Sequence, residues 1–185
     1  MTSPSDATTS VELPPWAQVS KGRRKHIVRV TKLLADWADA MNLSPSERQA
    51  WIDAGRFHDA LRDAPVDELR DLAGLALAEI ELLHGPATAT KLQREGETRT
   101  NLLDAIRYHS IGWKDWDRVG QALYMADYLE PGRTFDAERR AALTLRVPRD
   151  FDGAFREVVR SRMAYAKEQG YTEYPESVEL LASVG

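Results

Sequence analysis

The sequence predicts an all-α protein: seven to nine helices in one globular bundle. Three observations predict it. Apolar residues recur at three- and four-residue steps through most of the chain. Ser44-Pro45-Ser46-Glu47 has the form of a capping box with proline at the first helical position. No stretch alternates with the period of two that a half-buried strand needs, and no internal repeat is evident. A length of 185 residues suits one domain with a real core.

Residues 1–15, rich in Ser, Thr and Pro, read as a disordered tail, leaving 16–185 as the single domain. The first helix is expected over Gly22 to Met41, where Ile27, Val30, Leu34, Trp37, Ala38 and Met41 form one apolar stripe, with His26 near its start. The capping box starts a second helix carrying Trp51, Ala54, Phe57 and His58 at core spacing. Pro65 ends that segment, and Val66 to Ala73 reads as a short helix. Leu75 to Leu83 is expected to be helical, with Gly85-Pro86 restarting the chain and holding His84 at a helix entrance. Thr98 or Thr100 caps a helix through Leu103, Ile106 and Tyr108 to His109. Asp117 to Leu129 forms the next, ended by Pro131-Gly132. After a loop come two closing helices, Asp152 to Gln169 and Glu176 to Ala182.

Composition removes several classes. A formal charge of −4 lacks the basic surplus of a non-specific nucleic-acid binder. Without cysteine there is no disulfide framework, thiolate zinc site or cysteine nucleophile. No apolar stretch is long enough to span a bilayer, and Met1 to Ser10 lacks the apolar core of a signal peptide. The expectation is a cytoplasmic protein with no membrane or nucleic-acid partner.

The chemistry concentrates in Arg56-Phe57-His58-Asp59-Ala60-Leu61-Arg62-Asp63. Neutral imidazole and carboxylate are good ligands for hard or borderline divalent cations, but a single His-Asp pair is not specific. The chain's four histidines, His26, His58, His84 and His109, each fall near an end of a different helical segment. Asp127 lies in the apolar run Ala122 to Leu129, where an unpaired charge is costly to bury. Each histidine alone has an ordinary alternative as a hydrogen-bonded core residue, and Asp127 as a loop cap or a partner of Arg133. Together they suggest a metal centre.

These residues resemble the HD superfamily of metal-dependent phosphohydrolases, whose ligand series is a His, a His-Asp doublet and a later Asp. More narrowly, the chain is similar to the bacterial symmetrical bis(5′-nucleosyl)-tetraphosphatases of the YqeK type. Five blocks carry the likeness over Gly22 to Arg133: Lys25-His26-Ile27-Val28-Arg29-Val30, His58 to Asp63, Leu83 to Pro86, Ile106 to His109, and Ala126 to Arg133. Arg62 stands where the family usually has Lys, Ser110-Ile111 where Thr-Thr is common, and Leu72 to Leu82 matches poorly.

The resemblance implies a bundle of the HD-domain type holding two divalent metal ions. His26, His58, Asp59 and Asp127 would hold one, and His84, His109 and a bridging Asp59 the other. It points to iron first, with manganese or cobalt as substitutes, and to homodimers, for which the sequence has no interface signature. The implied reaction is hydrolysis of diadenosine tetraphosphate to two ADP, by attack of a metal-bridging hydroxide. Arg62, Arg107 and Arg133 are candidate phosphate clamps, each with a surface ion pair as its plain alternative. Asp63 is a candidate to orient the water or accept its proton, or to support Arg62. Tyr108, Trp113, Trp116 and Tyr128 are candidates for stacking a base, with core packing as the alternative. Asp136-Ala137-Glu138 needs only a solvated face. Three other readings stay open: an HD phosphohydrolase for another nucleoside phosphate or small phosphate ester, a non-catalytic nucleotide-binding module, and a purely structural bundle.

Overall fold

The computed structural model describes residues 11–74 and 79–185, and among these there are nine helices and no strand. They are α1 (Lys21–Ala40), α2 (Pro45–Phe57), α3 (Val66–Ala73), α4 (Ile80–Arg94), α5 (Thr100–Tyr108), α6 (Arg118–Leu129), α7 (Ala137–Arg146), α8 (Phe151–Glu168) and α9 (Pro175–Ser183). α6 is the centre, packing on α1, α2, α5, α7 and α8. Its sequence explains that place: Val119, Ala122, Leu123, Tyr124, Met125, Ala126 and Leu129 are all buried, so the helix is apolar nearly all round. α1 shows only a stripe, burying Ile27, Val30, Leu34, Trp37 and Ala38. A smaller cluster of Leu61, Ala64, Leu69, Leu83 and Ala87 joins α3 and α4 to the turns after α2.

The helix starts follow local chemistry. Ser44 and Glu47 make both halves of the capping box, and the Asp117 carboxylate accepts from the Val119 N–H at 2.8 Å. α5 differs from expectation, because neither threonine caps it. Arg99 holds the N-cap position, and the Glu97 carboxylate takes the Thr98 and Arg99 backbone N–H groups instead.

Two further expectations are corrected. Gly85-Pro86 does not restart the chain, since α4 runs through it, and His84 lies in the second turn rather than at an entrance. Pro86 lacks the N–H that would bond the Leu82 carbonyl, and so costs α4 a single bond in its first turn. Of the helix expected over Leu75 to Leu83, residues 75–78 lie outside the described residues. α7 occupies the stretch expected to be loop. Its core-facing residues are only Leu143 and Arg140, the latter donating to the carbonyls of Tyr128, Glu130, Arg133 and Phe135. A guanidinium where an apolar residue would stand hid the helical period.

Within the expected tail, residues 1–10 lie outside the described residues. In 11–15, Leu13 is buried and the Glu12 carbonyl accepts from Arg56. No described helix is long and apolar enough to cross a membrane.

Candidate metal centre

α2 ends at Phe57, with His58 as its C-cap, and the chain then tightens into successive turns. His58 keeps helical dihedrals there, φ −48° and ψ −39°, and its Nε2 lies 3.5 Å from Asp59 Oδ2. His109 is likewise the C-cap of α5. At both caps Nδ1 meets the carbonyl three residues back: Gly55 for His58 at 2.8 Å and Ile106 for His109 at 2.7 Å. A carbonyl only accepts, so Nδ1 carries the proton, and each Nε2 presents a lone pair to the centre. The same bond satisfies an orphan carbonyl at the helix end.

Two glycines permit the helix approaches. A Cβ on Gly55 would lie 2.9 Å from the Thr31 Cα of α1, and one on Gly85 would lie 2.8 Å from the Ile106 carbonyl oxygen of α5. Gly55 thus lets α2 bring His58 to His26, and Gly85 lets α4 bring His84 to His109.

The result is two imidazole pairs with one carboxylate between them. His26 and His58 face each other through Nε2 at 3.3 Å, and His84 and His109 at 3.1 Å. Asp59 turns Oδ2 to the first pair, 3.6 Å from His26 and 3.5 Å from His58. It turns Oδ1 to the second, 3.0 Å from His84 and 3.5 Å from His109. The candidate ligand atoms of His26, His58 and Asp59 lie within 4.8 Å of one another, as do those of Asp59, His84 and His109. Asp127 of α6 joins on the first side, its Oδ1 3.2 Å from His26 Nε2. All six residues are buried.

This donor set fits divalent cations. The lone pairs of His58 and His109 converge with those of a shared carboxylate, and nitrogen and oxygen donors of this kind suit iron, manganese, cobalt or zinc. The charges divide among the histidines. Burial pushes the His58 imidazolium down to about 4 and also lowers His84, so both are neutral at pH 7. Burial opposes ionisation of Asp59, yet its carboxyl is held well below the usual range, with the Arg23 guanidinium at 2.7 Å and His84 Nε2 at 3.0 Å. Burial would also lower His26, but Asp127, Glu130 and Asp59 raise it to about 9 without a cation.

Around this centre stand residues that sequence reasoning missed. Glu130 is buried, with Oε1 3.2 Å from His26 Nδ1; it also accepts from Arg29 and from the Gly132 N–H. It orients His26 as an outer carboxylate orients a metal-binding histidine. A glutamate ending an apolar helix just before Pro131 was the available signal. Arg23 donates to Asp59 Oδ2 at 2.7 Å, and Arg162 of α8 reaches Asp127 Oδ2 at 3.6 Å. Nothing local in sequence marks either one.

The other expected residues divide. Arg133 donates to Asp127 Oδ1 at 2.7 Å, its plain alternative, while remaining beside the centre. Neither Arg62 nor Arg107 forms an ion pair among the described residues. Asp63 does not hold Arg62; its carboxylate accepts from the Ser20 N–H at 2.6 Å and ties the turn to the start of α1. Trp116 is buried against Tyr124, and Tyr108 and Trp113 stack on each other with centroids 4.6 Å apart. Of the four aromatic candidates only Tyr128 lines the large cleft beside Asp127.

A helical bundle that gathers a His, a His-Asp doublet and a later Asp at one point is the architecture of an HD domain. The HD domain family matches residues 23–132, more than half of the chain, and the chain belongs to that family. Membership implies a divalent-cation centre, and the two clusters fit it.

Among particular relatives, the symmetrical bis(5′-nucleosyl)-tetraphosphatase of Bacillus subtilis (strain 168) is 28% identical over 171 residues, covering 86% of this chain and 88% of that protein. The one from Halalkalibacterium halodurans is 24% identical over 168 residues, covering 86% and 87%. A crystal structure from Clostridium acetobutylicum, of a "predicted HD superfamily hydrolase involved in NAD metabolism", superimposes with a TM-score of 0.76. It is 21% identical, with 90% of each chain covered, and it shows the shared fold. The resemblance carried by the five sequence blocks is therefore met by whole-chain relatives.

Proposed function

We propose that this protein hydrolyses dinucleoside polyphosphates and cuts diadenosine tetraphosphate at its central anhydride to give two ADP. The observation that carries this reading is the Asp59 carboxylate, one oxygen toward His26 and His58 and the other toward His84 and His109. It supports two adjacent cation positions sharing one anion. The names of the two bacterial relatives support the choice of substrate.

We assign His26, His58, Asp59 and Asp127 to one cation and Asp59, His84 and His109 to the other, with iron the first choice and manganese or cobalt as substitutes. When bound, such a pair of cations supplies a deprotonated water at neutral pH and a Lewis acid for phosphoryl oxygens. In the overall reaction a water oxygen joins one of the two central phosphorus atoms. The P–O bond to the central bridging oxygen breaks, and the departing ADP keeps that oxygen. Phosphoryl transfer of this kind depends mainly on positioning and charge compensation. We assign Arg133 and Arg162, which meet Asp127, and Arg62, four residues after His58, to hold phosphate oxygens. Glu130 keeps the His26 ring in its tautomer, and the backbone carbonyls of Gly55 and Ile106 do so for His58 and His109.

The test is to incubate iron(II)-loaded protein with diadenosine tetraphosphate and resolve the nucleotides. ADP as the sole nucleotide product is expected. ATP and AMP in equal amounts, or no turnover beside an active control enzyme, rejects the reading.

A further inference from the structure

Half of the exposed large apolar residues among those described gather in one place. Phe135, Tyr165 and Tyr171 are 47%, 52% and 60% exposed, and all three line the cleft that reaches Asp127. Scattered apolar residues on a surface need no explanation, but a cluster inside a concavity does. The rings form a continuous lane. Tyr128 and Phe135 have centroids 5.7 Å apart, Phe135 and Tyr165 lie 6.4 Å apart and within 15° of parallel, and Tyr171 meets Tyr165 edge-on at 6.2 Å.

The lane is held in position. The Arg140 guanidinium lies 4.7 Å from the Phe135 centroid while donating to the Phe135 and Arg133 carbonyls, so the half-exposed ring rests on a fixed cation. The cleft, about 1090 Å³, is of the size that takes a small molecule. Its lining joins Asp127, with the guanidinium groups of Arg133 and Arg162 on it, to the aromatic lane; Arg139 and the carboxylates of Glu79, Glu81, Asp136 and Glu168 line it too. A nucleotide likewise joins phosphates to a flat base.

We infer that Phe135 and Tyr165, flanked by Tyr171, form a stacking shelf for a purine base of the nucleotide whose phosphates lie at the Asp127 end of the cleft. This rests on the proposed nucleotide substrate and deepens it. It moves base recognition away from Tyr108, Trp113 and Trp116, which do not line this cleft. Arg133 and Arg162 beside the candidate cation centre favour a phosphate-bearing ligand over a second copy of the chain.

The experiment uses calorimetry on metal-loaded protein with two probes, ADP and inorganic pyrophosphate. The variants are Phe135→Leu/Tyr165→Leu, Tyr165→Leu alone, and Phe135→Trp; the half-exposed positions let leucine keep the fold, checked by circular dichroism. Base–aromatic stacking predicts that the double variant weakens ADP binding roughly tenfold or more. Pyrophosphate binding stays within about twofold, since no base is present to stack. Tyr165→Leu is intermediate, and Phe135→Trp binds ADP at least as tightly as the parent. Equal loss for both probes, or no loss for either, overturns the shelf. So does a parent dimer that the double variant dissociates with ADP binding unchanged, because the rings would then be a subunit interface. If the parent fails to cut diadenosine tetraphosphate yet shows this base-dependent pattern, the tetraphosphatase reading fails and the shelf stands.

Discussion

Replacing Gly85 with alanine tests how the second half of the metal centre is held. The added Cβ would lie 2.8 Å from the Ile106 carbonyl oxygen and 2.9 Å from that of Arg107, where ordinary contact begins at 3.4 Å. α4 and α5 must therefore separate by about 0.5 Å, because both obstacles are backbone and cannot rotate aside. Metal–ligand distances tolerate only about 0.2 Å. His84 and His109 ride on these two helices, so the cation position between them is disrupted while that of His26 and His58 stays. For stability, overpacking costs about 1–3 kcal/mol and the gain in helix propensity returns roughly 1 kcal/mol. The net is a loss of at most about 2 kcal/mol. Gly22→Ala is the control, since nothing lies within 4 Å of its Cβ. The assays are metal content after dialysis against a weak chelator and urea unfolding. Gly85→Ala is expected to retain one cation per chain and Gly22→Ala two. Two cations held by Gly85→Ala at parental affinity would refute the claim that this close approach sets the site.

Three further outcomes follow from the same structure. Glu130→Gln removes the charge that orients His26 and leaves Arg29 unpaired, so cation affinity in chelator competition is expected to fall on the order of 10–100-fold; unchanged affinity would contradict that role. Arg140→Met leaves four backbone carbonyls without their donor and should lower the unfolding free energy in urea by at least about 2 kcal/mol, with a change under about 0.5 kcal/mol counting against it. Glu97 is held at about 2 by the Arg99 guanidinium and by the Arg99 and Thr98 backbone N–H groups, against an ordinary 4.5. A lowered carboxyl pKa stabilises the fold above the unfolded value and stops doing so as pH falls through the folded one. The stability difference between parent and Glu97→Gln should therefore be full at pH 7 and vanish between about pH 4.5 and 2; a difference that persists at pH 2 would show that charge is not its source.

The parts of this molecule legible in sequence are those whose signal is local. Ser44 to Glu47 announce α2 because a capping box is a four-residue device, and the apolar surround of α6 announces its burial. The six candidate ligands stood out in sequence as four histidines spread over separate helical segments and two aspartates, one beside His58 and one in an apolar run, although His84 lies inside α4 rather than at its entrance. α7 was hidden because Arg140 takes a core position through hydrogen bonds to distant carbonyls, which no period records. Pro86 misled because its effect depends on which turn it falls in. Glu130, Arg23 and Arg162 acquire their roles only when α1, α6 and α8 meet. Gly55 and Gly85 show their purpose only beside the backbones they admit. The aromatic shelf is of the same kind, since Phe135, Tyr165 and Tyr171 share no spacing.

Anomalous diffraction from crystals of the iron-loaded protein is the most direct test of the shared carboxylate. Two peaks are expected on opposite sides of Asp59, one bounded by His26, His58 and Asp127 and the other by His84 and His109. A single peak, or two peaks that do not both touch Asp59, would contradict it.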